Sequence, residues 1–243
     1  MPSFTEKLRV GGHEMDMYAS MPIGPGPFPA VVIAFHIGGL DEFDRTMADR
    51  LAAEGYVAVV PALFHRFPAE VMAGPRLGRL AHLNDPDIIA DVNAALSFLE
   101  HHRAVNRDRI GITGFCMGGR VTWLMAALNP AFKAAVPFYG GHIMLPWGKA
   151  KQTPFELTKG INCPMMFHFG EDDPNPSVQD RDKFDAELTR LRKPHQFYTY
   201  PGAGHAFMDF TNPERYRKAA ADAAWPRTLQ FFATHLKGAV VPR

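Results

Sequence analysis

The stretch Arg109-Ile110-Gly111-Ile112-Thr113-Gly114-Phe115-Cys116-Met117-Gly118-Gly119 decides the fold of this chain. Ile110–Thr113 reads as a short buried strand, and Met117–Leu128, rich in small residues, as the helix that follows at once. Between them stands Gly114-Phe115-Cys116-Met117-Gly118, the G-x-S-x-G nucleophile-elbow pattern with cysteine in the serine slot. A nucleophile held in a strained turn needs glycine two residues to either side, because side chains there would collide. The location also suits thiol chemistry. A helix N-terminus offers free N–H groups and partial positive charge that favour a thiolate, and the Met117 N–H would face an oxyanion. Taken alone, G-x-C-x-G describes a buried structural cysteine equally well; the strand–turn–helix context favours the nucleophile.

Outward from the elbow, short β-branched runs alternate with amphipathic segments. Strands are expected at Val31–Phe35, Val57–Val60, Ala134–Phe138, Met165–Phe169 and Gln196–Tyr200. Helices are expected over roughly 44–54, from Asp85 onward, over Val178–Leu191 and over Glu214–His235. This alternation predicts an α/β fold, a mostly parallel central sheet with helices on both faces. Pro22–Pro29 (PIGPGPFP) reads as a turn between an N-terminal hairpin and that sheet. No repeat or long linker interrupts the chain, so one domain over residues 1–243 is expected.

The formal net charge of +1 argues against a nucleic-acid footprint and against anchoring to an anionic membrane. The N-terminus lacks the basic-then-apolar pattern of a secretory signal, and no run reaches the ~20 apolar residues of a membrane span. A cytoplasmic protein is expected, with Cys116 and Cys163 as free thiols, Cys163 buried and inert. No H-E-x-x-H, C-x-x-C or phosphate-binding glycine loop occurs, so neither a metal nor a cofactor is expected. The adjacent His101 and His102 read as partners for the last carbonyls of a helix.

A base and its orienting acid follow downstream. In Tyr200-Pro-Gly-Ala-Gly-His205-Ala-Phe207, a histidine sits in a glycine-crowded loop just past a strand, where it can reach a neighbouring strand's elbow. Met166-Phe-His-Phe-Gly170-Glu-Asp172-Asp173-Pro174 ends another strand in acids, one of which could fix the histidine's tautomer; Asp173 is preferred over Asp172. Nucleophile, acid, histidine is the α/β-hydrolase order. The plainer alternatives are a surface histidine and acids that only form a turn.

With these pieces in place the chain resembles the dienelactone hydrolase family, the carboxymethylenebutenolidases and relatives. The matching segments, from about Val31 to Leu236, are VVIAF, GYVAVVPALF, DVNAALSFL, RIGITGFCMGG, FYGG, MFHFGEDD and YPGAGHAF. The resemblance implies an α/β-hydrolase fold and selects Asp173, three residues after Gly170. It also implies a second oxyanion N–H from Ile37. Two departures stand out. Where the family has a glutamate that activates the cysteine, His36 stands in FHIGG; where it has an arginine for a substrate carboxylate, Asp209 stands. A carboxylate repels an anion, so a neutral or non-muconate ester or lactone is expected. Arg76 and Arg79 could compensate, although a solvated loop is the simpler reading of both.

Tyr139, His142, Trp147, Phe207 and Met208 are weighed as pocket walls, against a packing role for each. The expected function is ester or lactone hydrolysis of a small molecule through a Cys116 thioester, by a monomer or small homo-oligomer without cofactor. A broader carboxylesterase or thioesterase, or a catalytically silent ligand binder on the same scaffold, are the alternatives.

Overall fold

The computed structural model describes residues 1–238; the last five positions of the expected domain lie outside the described residues. Eight strands form one sheet: β1 (Ser3–Val10), β2 (His13–Ser20), β3 (Phe28–Ala34), β4 (Val57–Pro61), β5 (Val105–Phe115), β6 (Phe132–Phe138), β7 (Met165–Gly170) and β8 (His195–Tyr200). Their order is β1-β2-β4-β3-β5-β6-β7-β8. The β1–β2 hairpin joins antiparallel through β2 and β4; every pairing from β4 to β8 is parallel. Central strands β3, β4 and β6 are almost wholly buried and read as continuous apolar runs, as strands covered on both faces must.

The described residues form six α-helices: α1 (Glu42–Ala53), α2 (Ala69–Ala73), α3 (Asp85–His101), α4 (Met117–Leu128), α5 (Val178–Arg190) and α6 (Lys218–Phe232). On one face α1 meets α6, with the Arg50 guanidinium 4.7 Å from the Trp225 ring centroid. On the other, Trp123 of α4 packs on Phe184 of α5 with centroids 5.2 Å apart. This is the α/β-hydrolase architecture, and the expected strands and helices are all present.

Three differences have physical causes. Strand β5 begins at Val105, before the apolar run, because Val105 pairs with Phe28; the exposed Arg107, Asp108 and Arg109 hide this extension from any hydrophobic pattern. Helix α6 starts at Lys218, since Asn212 instead accepts turn bonds from Arg215 and Tyr216. The segment expected as a solvated loop folds into α2 and a 3₁₀ helix, Arg76–His82, with Arg79 buried. No described helix is long and apolar enough to cross a membrane.

The registers align Ala34 with Gly114, Phe115 with Phe138, Phe138 with His168, and Gly170 with Tyr200. The C-terminal ends of β3, β5, β6, β7 and β8 therefore open on one edge, where ligands bind in sheets of this kind.

Candidate active site

The residues singled out from the sequence follow these strand ends directly. His36 and Ile37 come after β3, Cys116 after β5, Tyr139 and His142 after β6, Asp173 after β7 and His205 after β8. The turn into α4 holds Cys116 at φ 57°, ψ −117°, a conformation non-glycine residues rarely adopt. Two close approaches make it possible: a Cβ on Gly114 would strike the Gly118 carbonyl, and one on Gly118 the Ala34 carbonyl.

Asp173 is nearly fully buried, whereas Asp172 beside it is exposed. One Asp173 oxygen accepts the Asn175 N–H at 2.9 Å, and the other meets His205 Nδ1 at 2.8 Å. Arg181 holds the Asp173 carbonyl at 2.8 Å from behind. The other side of the His205 ring faces Cys116, and the two residues line both cavities together. Burial alone would raise the thiol's pKa; the neighbouring His205 and its charge, with the N–H groups of Met117 and Ile37, outweigh it and bring the thiol below its ordinary value. Burial would likewise strip the proton from His205, but Asp173 and Cys116 hold it there up to about 10.

Two cavities meet at Cys116 and His205. The larger, about 240 Å³, is lined in part by His36, Tyr139, Arg76, Asp209 and Arg215. The smaller, about 120 Å³, is walled by Leu77, Leu80, Met117, His142, Trp147 and Asn175. Phe207 and Met208 line neither cavity. Both are buried, and Phe207 packs beneath Tyr139 at 5.2 Å, where it fixes the floor without facing a substrate.

A second histidine–acid group stands beside the first. His36 Nε2 lies 3.0 Å from Asp41 Oδ2 and 3.5 Å from Asp44 Oδ2, a grouping of potential metal ligands that the spacing motifs did not flag. His36 Nδ1, however, accepts the Gly38 N–H at 3.1 Å. The neutral ring thus carries its proton on Nε2, whereas a metal ion on Nε2 would need a proton on Nδ1, opposite another N–H. Burial lowers the affinity of His36 for a second proton, but Asp41, Asp44 and Cys116 outweigh it and hold the ring's pKa above its ordinary value, even though that proton would face the Gly38 N–H. The carboxylates serve helix α1. Asp41 caps it, accepting from the Phe43 N–H at 2.9 Å, and Asp44 lies in its first turn. Asp44 is fully buried with no aligned donor; burial, with Asp41 nearby and His36 opposing, pushes its carboxyl up to about 8.

Sequence reasoning missed Arg120 and its partner. Buried Arg120 forms a two-pronged ion pair with Asp85 at 2.6 and 2.8 Å and also bonds the His142 and Leu145 carbonyls. Its guanidinium lies 3.6 Å from the Trp147 ring centroid, and Asp85 accepts the Trp147 N–H. The clamp seats the wall of the smaller cavity on α3 and α4. The only signal was Asp85-Pro86, legible as a helix start. Cys163 lies apart, its thiol pushed up to about 11 by burial.

The family model described as the dienelactone hydrolase family matches residues 15–236. The chain belongs to the dienelactone hydrolase family. A provisionally named carboxymethylenebutenolidase of Escherichia coli (strain K12) is 33% identical over 226 residues, covering 91% of this chain and 83% of the relative. A provisionally named 2-oxo-3-(5-oxofuran-2-ylidene)propanoate lactonase of Bradyrhizobium sp. is 32% identical over 237 residues, covering 95% and 94%. The crystal structure of a provisionally named dienelactone hydrolase from Klebsiella pneumoniae superposes with TM-score 0.86 at 29% identity, covering 96% of this chain and 98% of that one. The protein is thus a hydrolase of the dienelactone hydrolase type.

Proposed function

We propose that this hydrolase cleaves a small neutral ester or lactone through a thioester on Cys116. The Cys116 thiolate attacks the carbonyl carbon, and the N–H groups of Met117 and Ile37 receive the charge that develops on oxygen. His205 gives its proton to the departing alkoxide. It then takes one from water, which attacks the thioester, and the acid leaves as the thiol re-forms. Asp173 orients His205 throughout and stabilises its charged form.

What carries this reading is the Asp173 Oδ2–His205 Nδ1 contact at 2.8 Å, with His205 lining both cavities beside Cys116 and the thiol held below its ordinary pKa. The preference for an uncharged acyl group rests on the 9% exposed Asp209 in the larger cavity, beside the reacting centre. Arg76 and Arg215 are exposed at the same cavity's rim, so any acid carried by the substrate would be met at the entrance.

Hydrolysis of p-nitrophenyl acetate by the wild type and by Cys116→Ala, with intact-mass detection of the acyl adduct, tests the proposal. Turnover and a single adduct in the wild type, both lost in the variant, support it. A variant that keeps its activity removes Cys116 as nucleophile. Tight retention of lactones by a wild type that turns none over would favour a binder instead.

A further inference from the structure

The loop after β3 must present one backbone N–H to the reacting carbonyl, and a single N–H on a loop points reliably only if every peptide around it is tied down. Five of the loop's backbone polar groups have named partners. The His36 carbonyl accepts the Gly39 N–H at 3.0 Å. The Gly38 N–H goes to His36 Nδ1 at 3.1 Å. The Ile37 and Gly38 carbonyls both accept from one Arg79 nitrogen, at 3.1 and 2.7 Å. The other terminal nitrogen of Arg79 reaches the Met72 carbonyl at 2.8 Å. The Ile37 N–H makes no hydrogen bond within the loop, Ile37 lines both cavities beside Cys116, and its N–H helps hold the Cys116 thiol below its ordinary pKa.

The peptide joining Ile37 to Gly38 is therefore held at both ends, its carbonyl by Arg79 and its N–H by His36. The peptide that carries the Ile37 N–H is held at its own carbonyl, on His36, by the Gly39 N–H, and the fixed Ile37–Gly38 peptide next to it limits how far it can swing. Arg79 is 7% exposed and forms no ion pair with an acid among the described residues. A guanidinium buried without a carboxylate is costly unless its donors meet strong acceptors; here both terminal nitrogens do, on three backbone carbonyls, while Nε stays buried without a partner. Its neighbours Leu77 and Leu80 line the smaller cavity, so the 3₁₀ helix that carries Arg79 also touches the substrate space.

We infer that Arg79 is a positioning residue for the oxyanion: it touches no reacting atom and sets the aim of the Ile37 N–H through the two carbonyls it holds. The inference rests on the proposed acyl transfer at Cys116. A lysine could satisfy one carbonyl but not span to three, so Arg79→Lys should recover part of what Arg79→Ala loses.

The experiment compares two reactions of the same thiol in wild type, Arg79→Lys and Arg79→Ala. Acylation by p-nitrophenyl acetate develops an oxyanion; alkylation by iodoacetamide develops none on the loop side of the site. Acylation should slow by roughly 10- to 100-fold in Arg79→Ala and less in Arg79→Lys. The loss should fall on kcat with KM little changed, while the alkylation rate at fixed pH stays within about twofold. Equal loss in both reactions, or rates that recover when the assay is cooled below the variant's unfolding transition, would mean that Arg79 only supports the fold. Unchanged acylation would overturn the inference outright. If wild-type acylation proceeds without an adduct on Cys116 while iodoacetamide still labels that residue, the acyl-transfer proposal fails instead, and the two failures are told apart.

Discussion

Two histidine–acid groups flank the same cavity and differ in what their ring nitrogens are free to do. His205 gives Nδ1 to a carboxylate that is itself anchored, at 2.8 Å, and keeps its other nitrogen for the thiol. His36 has an acid at 3.0 Å as well, but its Nδ1 is occupied by a backbone N–H from its own loop. The first ring can gain and lose a proton during a reaction. The second spends Nδ1 on its own loop and turns Nε2 to the acids of helix α1, away from the reacting thiol. A list of titratable residues near the cavity cannot separate the two; hydrogen-bond direction does.

The largest effects should separate the groups by paired substitution. His205→Gln is expected to lower kcat/KM by roughly 10³-fold or more, and Asp173→Asn by roughly 10²- to 10⁴-fold. His36→Asn, which keeps an acceptor near the Nδ1 position, should cost less than about tenfold, and Asp44→Asn should leave kcat/KM close to wild type. Steady-state kinetics on one ester give all four numbers. A His36 loss matching that of His205 would collapse the distinction.

The pH profile sharpens it. With the thiol below its ordinary pKa and His205 protonated up to about 10, kcat/KM should rise across a group that titrates below the free-cysteine value of about 8.5, then fall near pH 10 as the imidazolium is lost. A profile that rises only above about 8.5 would contradict a preformed thiolate.

The smallest effect concerns stability and the second group alone. Asp44 keeps its proton in the folded chain up to about 8, whereas an unfolded aspartate releases it near about 3.9. Between those values the folded state binds the extra proton, so stability falls as pH rises. The amide introduced by Asp44→Asn cannot titrate. The unfolding midpoint of that variant should therefore drop less between pH 5 and 8 than that of the wild type, by thermal melts followed by circular dichroism. Equal drops would show that Asp44 ionises freely in the fold.

Much of the architecture was legible because its signals are local. Apolar runs mark β3, β4, β6 and β7, and two glycines spaced around Cys116 mark the elbow, since a strained turn constrains its immediate neighbours whatever surrounds it. The start of β5 was not legible, because its polar residues are held by pairing to Phe28 rather than by their own hydrophobicity.

The amino-acid sequence by itself determined the order of strands and helices, the elbow at Cys116 and the glycine-crowded His205, all properties of short segments. Only the tertiary structure decided that Asp173 is buried against His205 while Asp172 faces solvent, that His36 turns Nε2 to the acids of helix α1, and that Arg79 is a buried clamp. The Arg79 bonds to Ile37 and Gly38 span 42 and 41 positions. Composition places an arginine at the surface by default, because its charge is costly to bury. Only the arrival of carbonyls from a distant loop overturns that default, and their arrival is a property of the folded chain.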